Sequence, residues 1–191
     1  SGLVGYWSMD EGSGSSVQDL SENTNTGTIT GATWKNAADC KHGSCLSFDG
    51  AGDYVDAGNG ASLNITNAIT IEAWIKANSF SSDYAGIVTK NRGADAYHLF
   101  GQSDGSIRFA LFGGAGGGGA TNAFSPVLQT GQWYHIVATW NGNRQVVYTD
   151  GIAGTATSRT NPIASDAQPL EIGVMINWSV GGNSYFNGLI D

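Results

Sequence analysis

Ile69, Ile71, Ala73 and Ile75 alternate with Thr70, Glu72, Trp74 and Lys76. A period of two belongs to a strand whose two faces meet different surroundings, whereas a helix would scatter these isoleucines around its axis. Residues 134–140, Tyr-His-Ile-Val-Ala-Thr-Trp, form a second strand candidate, rich in β-branched and aromatic side chains. Asn141-Gly142-Asn143 then leads into residues 145–149, and Asp150-Gly151 follows. Such pairs accept the positive φ of tight hairpins, so three strands joined by two turns make a meander. Further strands are expected at residues 3–8, 26–30, 45–48, 54–57, 86–89, 96–100, 107–112, 170–173 and 185–190. Turn residues separate them at the short spacing of sandwiches and barrels, and no segment carries a 3.6-residue apolar stripe. The expectation is an all-β antiparallel sandwich.

Composition sets the limits. The 191 residues include 29 Gly but only 3 Pro, without a Gly-X-Y period, which excludes collagen. Apolar residues at 40% can bury a core, and with no linker or repeat dividing the chain, residues 1–191 read as one domain. Sixteen acids against 8 bases leave a formal charge of −8. Nucleic acid and anionic membranes call for clustered Lys and Arg, so neither is an expected partner. No stretch approaches the roughly 20 apolar residues of a spanning helix, and no basic-then-apolar signal begins at Ser1; a soluble mature or excised domain is expected. Residues 113–119 are glycine apart from Ala115. They read as a loop with no side chains to pack, and not as a phosphate-binding loop, since no Lys-Ser/Thr follows.

Cys40 and Cys45 bracket Lys-His-Gly-Ser. A disulfide across this short loop would suit an oxidising, extracytoplasmic setting, with free thiols the alternative. A zinc site would need about four ligands, and His42 has no second Cys/His pair to join.

Several motifs, taken together, resemble one family. They are Gly-Leu-Val-Gly-Tyr-Trp-Ser-Met-Asp-Glu-Gly-Ser-Gly at 2–14, Val-Gln-Asp-Leu-Ser at 17–21 and Leu-Ser-Phe-Asp-Gly-Ala-Gly-Asp-Tyr-Val at 46–55. Ala-Ile-Thr-Ile-Glu-Ala-Trp-Ile at 68–75, Gly-Gln-Trp-Tyr-His-Ile-Val-Ala at 131–138, Val-Tyr-Thr-Asp-Gly at 147–151 and Phe-Asn-Gly-Leu-Ile-Asp at 186–191 continue the series. In this order they resemble the laminin-G-like jelly-roll domains of the concanavalin A-like lectin and glucanase superfamily. The resemblance implies two antiparallel sheets packed face to face, one of them concave, and a non-catalytic extracellular or cell-surface module. It also implies glycan binding or adhesion, often with a structural calcium ion. Family members continue past Ile-Asp into a last strand of the Glu-Val-Arg-Ile-Tyr kind. This sequence ends at Asp191, so either these residues are part of a longer chain or a neighbour supplies that strand.

Half of the acids precede residue 57: Asp10, Glu11, Asp19, Glu22, Asp39, Asp49, Asp53 and Asp56. Calcium takes about six to eight oxygens from carboxylates, amides and carbonyls. Asp191, matching the terminal-strand position in relatives, with Asp10, Asp19 or Asp49 and carbonyls near Asn25 and Gly27, is the expected ligand set of a structural Ca2+. The plainer alternative is that these acids cap turns in loops. A calcium ion bridging a ligand would want acids near 172–180, where there are none.

A retaining glycoside hydrolase needs two carboxyl groups about 5 Å apart, hence two or four residues apart along a strand. No expected strand carries that pattern, and Glu72 and Glu171 stand alone in theirs. Carbohydrate binding asks for exposed rings and amides. Asn177, Trp178, Asn183 and Tyr185 lie together in a polar, aromatic, glycine-rich stretch, with Tyr84 and residues 95–98 as secondary candidates. Trp178 could equally cover a core edge. The expected function is a lectin-like module binding a polysaccharide or surface glycan. The alternative is an adhesion or structural module binding protein partners or neighbouring subunits.

Overall fold

Two antiparallel sheets pack face to face in the computed structural model, which describes residues 2–90, 96–113, 120–165, 167–177 and 182–191. In chain order the strands are β1 (Ser16–Val17), β2 (Gly27–Thr30), β3 (Thr33–Lys35), β4 (Cys45–Asp49), β5 (Tyr54–Asp56) and β6 (Ile69–Ala77). Then come β7 (Ala85–Lys90), β8 (Tyr97–Gly101), β9 (Ile107–Leu111), β10 (Thr121–Phe124), β11 (Tyr134–Trp140) and β12 (Arg144–Thr149). The last are β13 (Ile152–Ala153), β14 (Thr157–Ser158), β15 (Leu170–Ile172), β16 (Val174–Asn177), β17 (Gly182–Tyr185) and β18 (Asn187–Ile190). One sheet runs β1-β2-β5-β15-β7-β8-β9-β10 and the other β13-β12-β11-β6-β18-β4-β3, with β14 also on β12 and β16-β17 forming a separate hairpin. The arrangement is that of a jelly roll.

The meander forms as the turn residues require. β6, β11, β12 and β13 are successive neighbours. Asp150 and Gly151 at the second turn take φ of 48° and 81°, the positive values of a tight hairpin. At the first, Asn141 Oδ1 accepts N–H bonds from Asn143 and Arg144 at 3.1 and 2.8 Å. Side chains such as Phe48, Ile75, Ile87, Leu99, Phe109 and Ile136 fill the space between the sheets and are fully buried.

Two expected strands come out differently. Residues 3–8 form no strand. Tyr6 turns its N–H to Asp19 Oδ1 (2.9 Å) and its C=O to the Leu20 N–H (2.7 Å), so one side is held by a loop and no ladder forms. The single strand expected at 185–190 breaks at Phe186, whose N–H reaches back to the Gly173 carbonyl at 2.9 Å. Tyr185 closes the β16-β17 hairpin, and Asn187 opens β18 in the other sheet.

That hairpin explains why β7, β8 and β15 are buried on both faces. It lies on the outer side of the eight-stranded sheet, where Thr89 Oγ1 donates to the Val174 carbonyl at 2.8 Å. Gly86 permits the approach: a Cβ there would stand 2.1 Å from the Val174 carbonyl carbon.

Candidate functional site

Residues directly opposite each other in an antiparallel pair point to the same face. On the outer face of the eight-stranded sheet, this places Gly86, Phe100, Arg108 and Phe124 in one row across β7 to β10. The Arg108 guanidinium carbon sits 5.3 Å from the Phe100 ring centroid and 5.9 Å from that of Phe124. Its Nε donates to Asn122 Oδ1 at 2.8 Å, which fixes the plane of the guanidinium. Tyr84 stacks on Phe100 at 5.6 Å between centroids. Met175 of the hairpin covers Phe100 and Ala110, while Tyr84, Arg108, Phe112, Asn122 and Phe124 remain half-buried.

A second row runs alongside through Asp56, Glu171, Thr89, His98, Ala110 and Asn122. The His98 ring lies 4.9 Å from that of Phe112. Burial, reinforced by the nearby Arg108 charge, pushes the His98 pKa down to about 3, so the imidazole is neutral at physiological pH. Its Nε2 is buried and has no hydrogen-bond partner among the described residues. Leaving such a group unpaired costs about 1–3 kcal/mol. Asp56 and Glu171 face one another from β5 and β15, an acid pair that a search along single strands could not find.

Of the residues expected to bind sugar, Asn183 and Tyr185 are brought together, Asn183 Nδ2 donating to the Tyr185 hydroxyl at 3.0 Å. They share the face of β17 opposite to Ser184, the residue paired with Met175. They therefore stand on the solvent side of the hairpin, away from the aromatic floor. Asn177 ends β16 opposite Gly182, and its side chain, Trp178 and Asp95 lie outside the described residues, as do residues 114–119 of the glycine run. Tyr84 and His98, secondary in the sequence, belong to the floor itself. Phe100, Arg108, Phe112, Asn122 and Phe124 were missed. Their signal was available, because residues 97–100 and 109–112 are largely apolar or aromatic at both parities, unlike a strand facing plain water.

Residues 49–191 match the laminin G family of the concanavalin A-like lectin/glucanases superfamily. The chain belongs to that family. Domain 4 of an extracellular arabinanase from Geobacillus stearothermophilus, solved with arabinotriose, is similar at a TM-score of 0.74 and 20% identity, over 99% of this chain and 89% of that one. The binding domain of Paraclostridial Mosquitocidal Protein 1 gives a TM-score of 0.74 at 14% identity, over 98% of this chain and 48% of that one. Domains LG4-5 of the mouse laminin alpha1 chain give 0.59 at 18% identity, over 76% and 39%. At these identities the likeness is one of fold. No curated protein matches the sequence.

In this laminin-G-like domain the expected calcium ligands lie in separate loops, except that Asp191 and Asp10, one of the expected pairings, come together. Asp19 accepts N–H bonds from Tyr6, Ser21 and Asn25 and from Asn25 Nδ2, at 2.7–3.1 Å. Its burial alone would raise the pKa, but these bonds outweigh it and hold the carboxyl below the usual range. Asp49 accepts from Ala51 and lies beside Asp53 in its own turn. Asp10 and Asp191 meet elsewhere, at the Cys40 to Cys45 loop. Gly27 sits in β2, where an added Cβ would strike Val55 and Val17. Among the described residues no three His, Cys, Asp or Glu side chains gather as a metal group. The physical reason is that each carboxylate is directed at loop N–H groups, the turn-capping role.

Cys40 and Cys45 form a disulfide with Cα atoms 5.5 Å apart, which leaves no thiolate for zinc beside His42. The closed loop points its amides inward. Lys41 and His42 donate N–H bonds to Asp191 Oδ2 at 2.9 and 2.8 Å, and Ser44 donates to Asp10 Oδ1 at 3.0 Å. Desolvation, with a smaller contribution from the Asp10 charge, still leaves the Asp191 carboxyl above the usual range.

Proposed function

We propose that this domain is a carbohydrate-binding module whose site is the outer face of the eight-stranded sheet. The row Phe100–Arg108–Phe124, flanked by the half-buried rings of Tyr84 and Phe112, carries the reading. Sugar rings present C–H faces that stack on aromatic side chains, and their hydroxyls need donors and acceptors set in a plane. Arg108 and Asn122 supply these along the same floor. A net charge of −8 favours a neutral glycan over an anionic one. The arabinotriose held by the similar arabinanase domain makes neutral pentose oligomers a suitable first probe. Binding without hydrolysis is proposed, in an extracellular or surface setting that suits the disulfide.

The test is a glycan array followed by calorimetry with arabinotriose and any array hits, on native protein and on Tyr84→Ala and Arg108→Gln. Each substitution should weaken binding about tenfold, the equivalent of roughly 1.4 kcal/mol. Absence of glycan binding would overturn the reading in favour of an adhesion module. Binding lost in Trp178→Ala but kept in both floor variants would move the site off the sheet and refute the floor.

A further inference from the structure

The aromatic floor is richer in hydrogen-bond donors than in acceptors. A guanidinium carries N–H groups and no acceptor. Arg108 spends its Nε–H on Asn122 Oδ1 at 2.8 Å. Because that N–H can only donate, the atom it meets is the amide oxygen, and Asn122 Nδ2 is left to serve a ligand. Neither Nη group of Arg108 nor Asn122 Nδ2 makes a hydrogen bond among the described residues, and none of these atoms is sealed from solvent. The side-chain acceptor of the pair is thus engaged, and what the pair turns outward is N–H.

The surroundings of this fork narrow the choice of ligand. Phe100 and Phe124 flank Arg108 from the two neighbouring strands, their ring centroids 5.3 and 5.9 Å from the guanidinium carbon. Tyr84, stacked on Phe100, and the half-buried Phe112 widen the apolar surface. One rim is acidic. Asp83, next to Tyr84, lies within electrostatic reach of Arg108, and Asp104, in the turn between β8 and β9, within reach of Asp83. Asp83 accepts the Ser103 N–H at 3.0 Å, and Asp104 accepts the Ser106 N–H and hydroxyl at 2.8 and 2.7 Å, which holds both carboxylates in place.

A ligand carboxylate would match the fork in shape but would meet this acidic rim and a net charge of −8. A hydroxyl brings a hydrogen of its own, which finds no acceptor among these donors, and an unpaired polar group costs affinity. An acyl carbonyl has two lone pairs, no hydrogen and no charge; in an acetyl group it comes with a methyl suited to an aromatic wall. We propose that the floor selects acetylated neutral glycans, the acetyl carbonyl accepting from Arg108 and Asn122 Nδ2 and the methyl packing on Phe100 and Phe124. The selection rests on the carbohydrate-binding reading of the same floor and names its ligand class. Acetamides and acetate esters share this chemistry.

The experiment is calorimetric titration of the native protein with two matched series. Tri-N-acetylchitotriose is compared with cellotriose, which has a hydroxyl in place of each acetamide, and O-acetylated xylotriose is compared with the same sample after mild alkaline deacetylation. In at least one series the acetylated member should bind about tenfold more tightly, and the series that responds tells amide from ester. Arg108→Leu, which keeps apolar surface but removes the donors, should bring that ratio close to one, and Asn122→Leu should reduce it about threefold. A galacturonic acid trimer should bind more weakly than the preferred acetylated sugar. Equal affinity within both series, a ratio that survives both substitutions, or tighter binding of the uronate would each overturn the selection for acetyl groups while leaving carbohydrate binding in place. Failure of every glycan, arabinotriose included, would overturn both.

Discussion

Replacing both Cys40 and Cys45 by serine tests whether the short disulfide loop organises the Asp10 and Asp191 contacts or merely accompanies them. The bridge spans a sequence separation of 5, and closing so short a loop removes about 2 kcal/mol of chain entropy from the unfolded state at 25 °C. The loop also orients three N–H groups on Asp191 and Asp10, at 2.8–3.0 Å. These bonds are partly solvated, so together they contribute about 1 kcal/mol. A loss of about 3 kcal/mol follows, and for a chain of this size Tm should fall by about 6–12 °C. Calorimetry on the oxidised protein and the serine variant measures it. A double-mutant cycle with Asp191→Ala separates the two contributions. If the bridge holds the amides in place, removing the carboxylate costs less in the serine background, with a coupling of about 1 kcal/mol. An unchanged Tm, or strict additivity in the cycle, would refute the reasoning.

Two further outcomes follow from the same structure. Asp19 has a folded pKa below its unfolded value of about 3.9, so its contribution is complete above that value and disappears as pH falls through the lower folded one; Asp19→Asn should lower the urea midpoint at pH 7 and flatten its decline in acid, and parallel pH profiles would contradict this. Gly86→Ala would press a methyl group on the Val174 backbone, costing about 1–3 kcal/mol and raising amide exchange in β16 and β17 above the rest of the sheet; unaltered exchange there would show that the hairpin does not depend on this contact.

The strands with one wet face were the legible ones. In β6 the buried residues fall on odd positions and the outward ones on even positions, and the sequence alternates accordingly. The turn at Asp150-Gly151 was equally plain, because few residues tolerate positive φ. Residues 3–8 misled because their apolar pattern is that of a strand, while pairing depends on a neighbour that the pattern cannot supply. The aromatic floor escaped for the opposite reason: β8 is buried on both faces by a hairpin far along the chain, which erases alternation. Of the expected calcium ligands, Asp10 and Asp191 come together from opposite ends of the sequence, while Asp19 and Asp49 cap separate turns.

Alternation, turn chemistry and motif order, all local properties, were enough to indicate an all-β sandwich of the laminin G kind with a meander, while the bridge between Cys40 and Cys45 was one of two readings until the structure closed it. Tertiary structure alone decided which strands became neighbours. That placed Phe100, Arg108 and Phe124 in one row and set Asp56 against Glu171. The reason is physical: side-chain parity is encoded residue by residue, but the partner across a ladder comes from a distant part of the chain and is selected by the packing of the whole core.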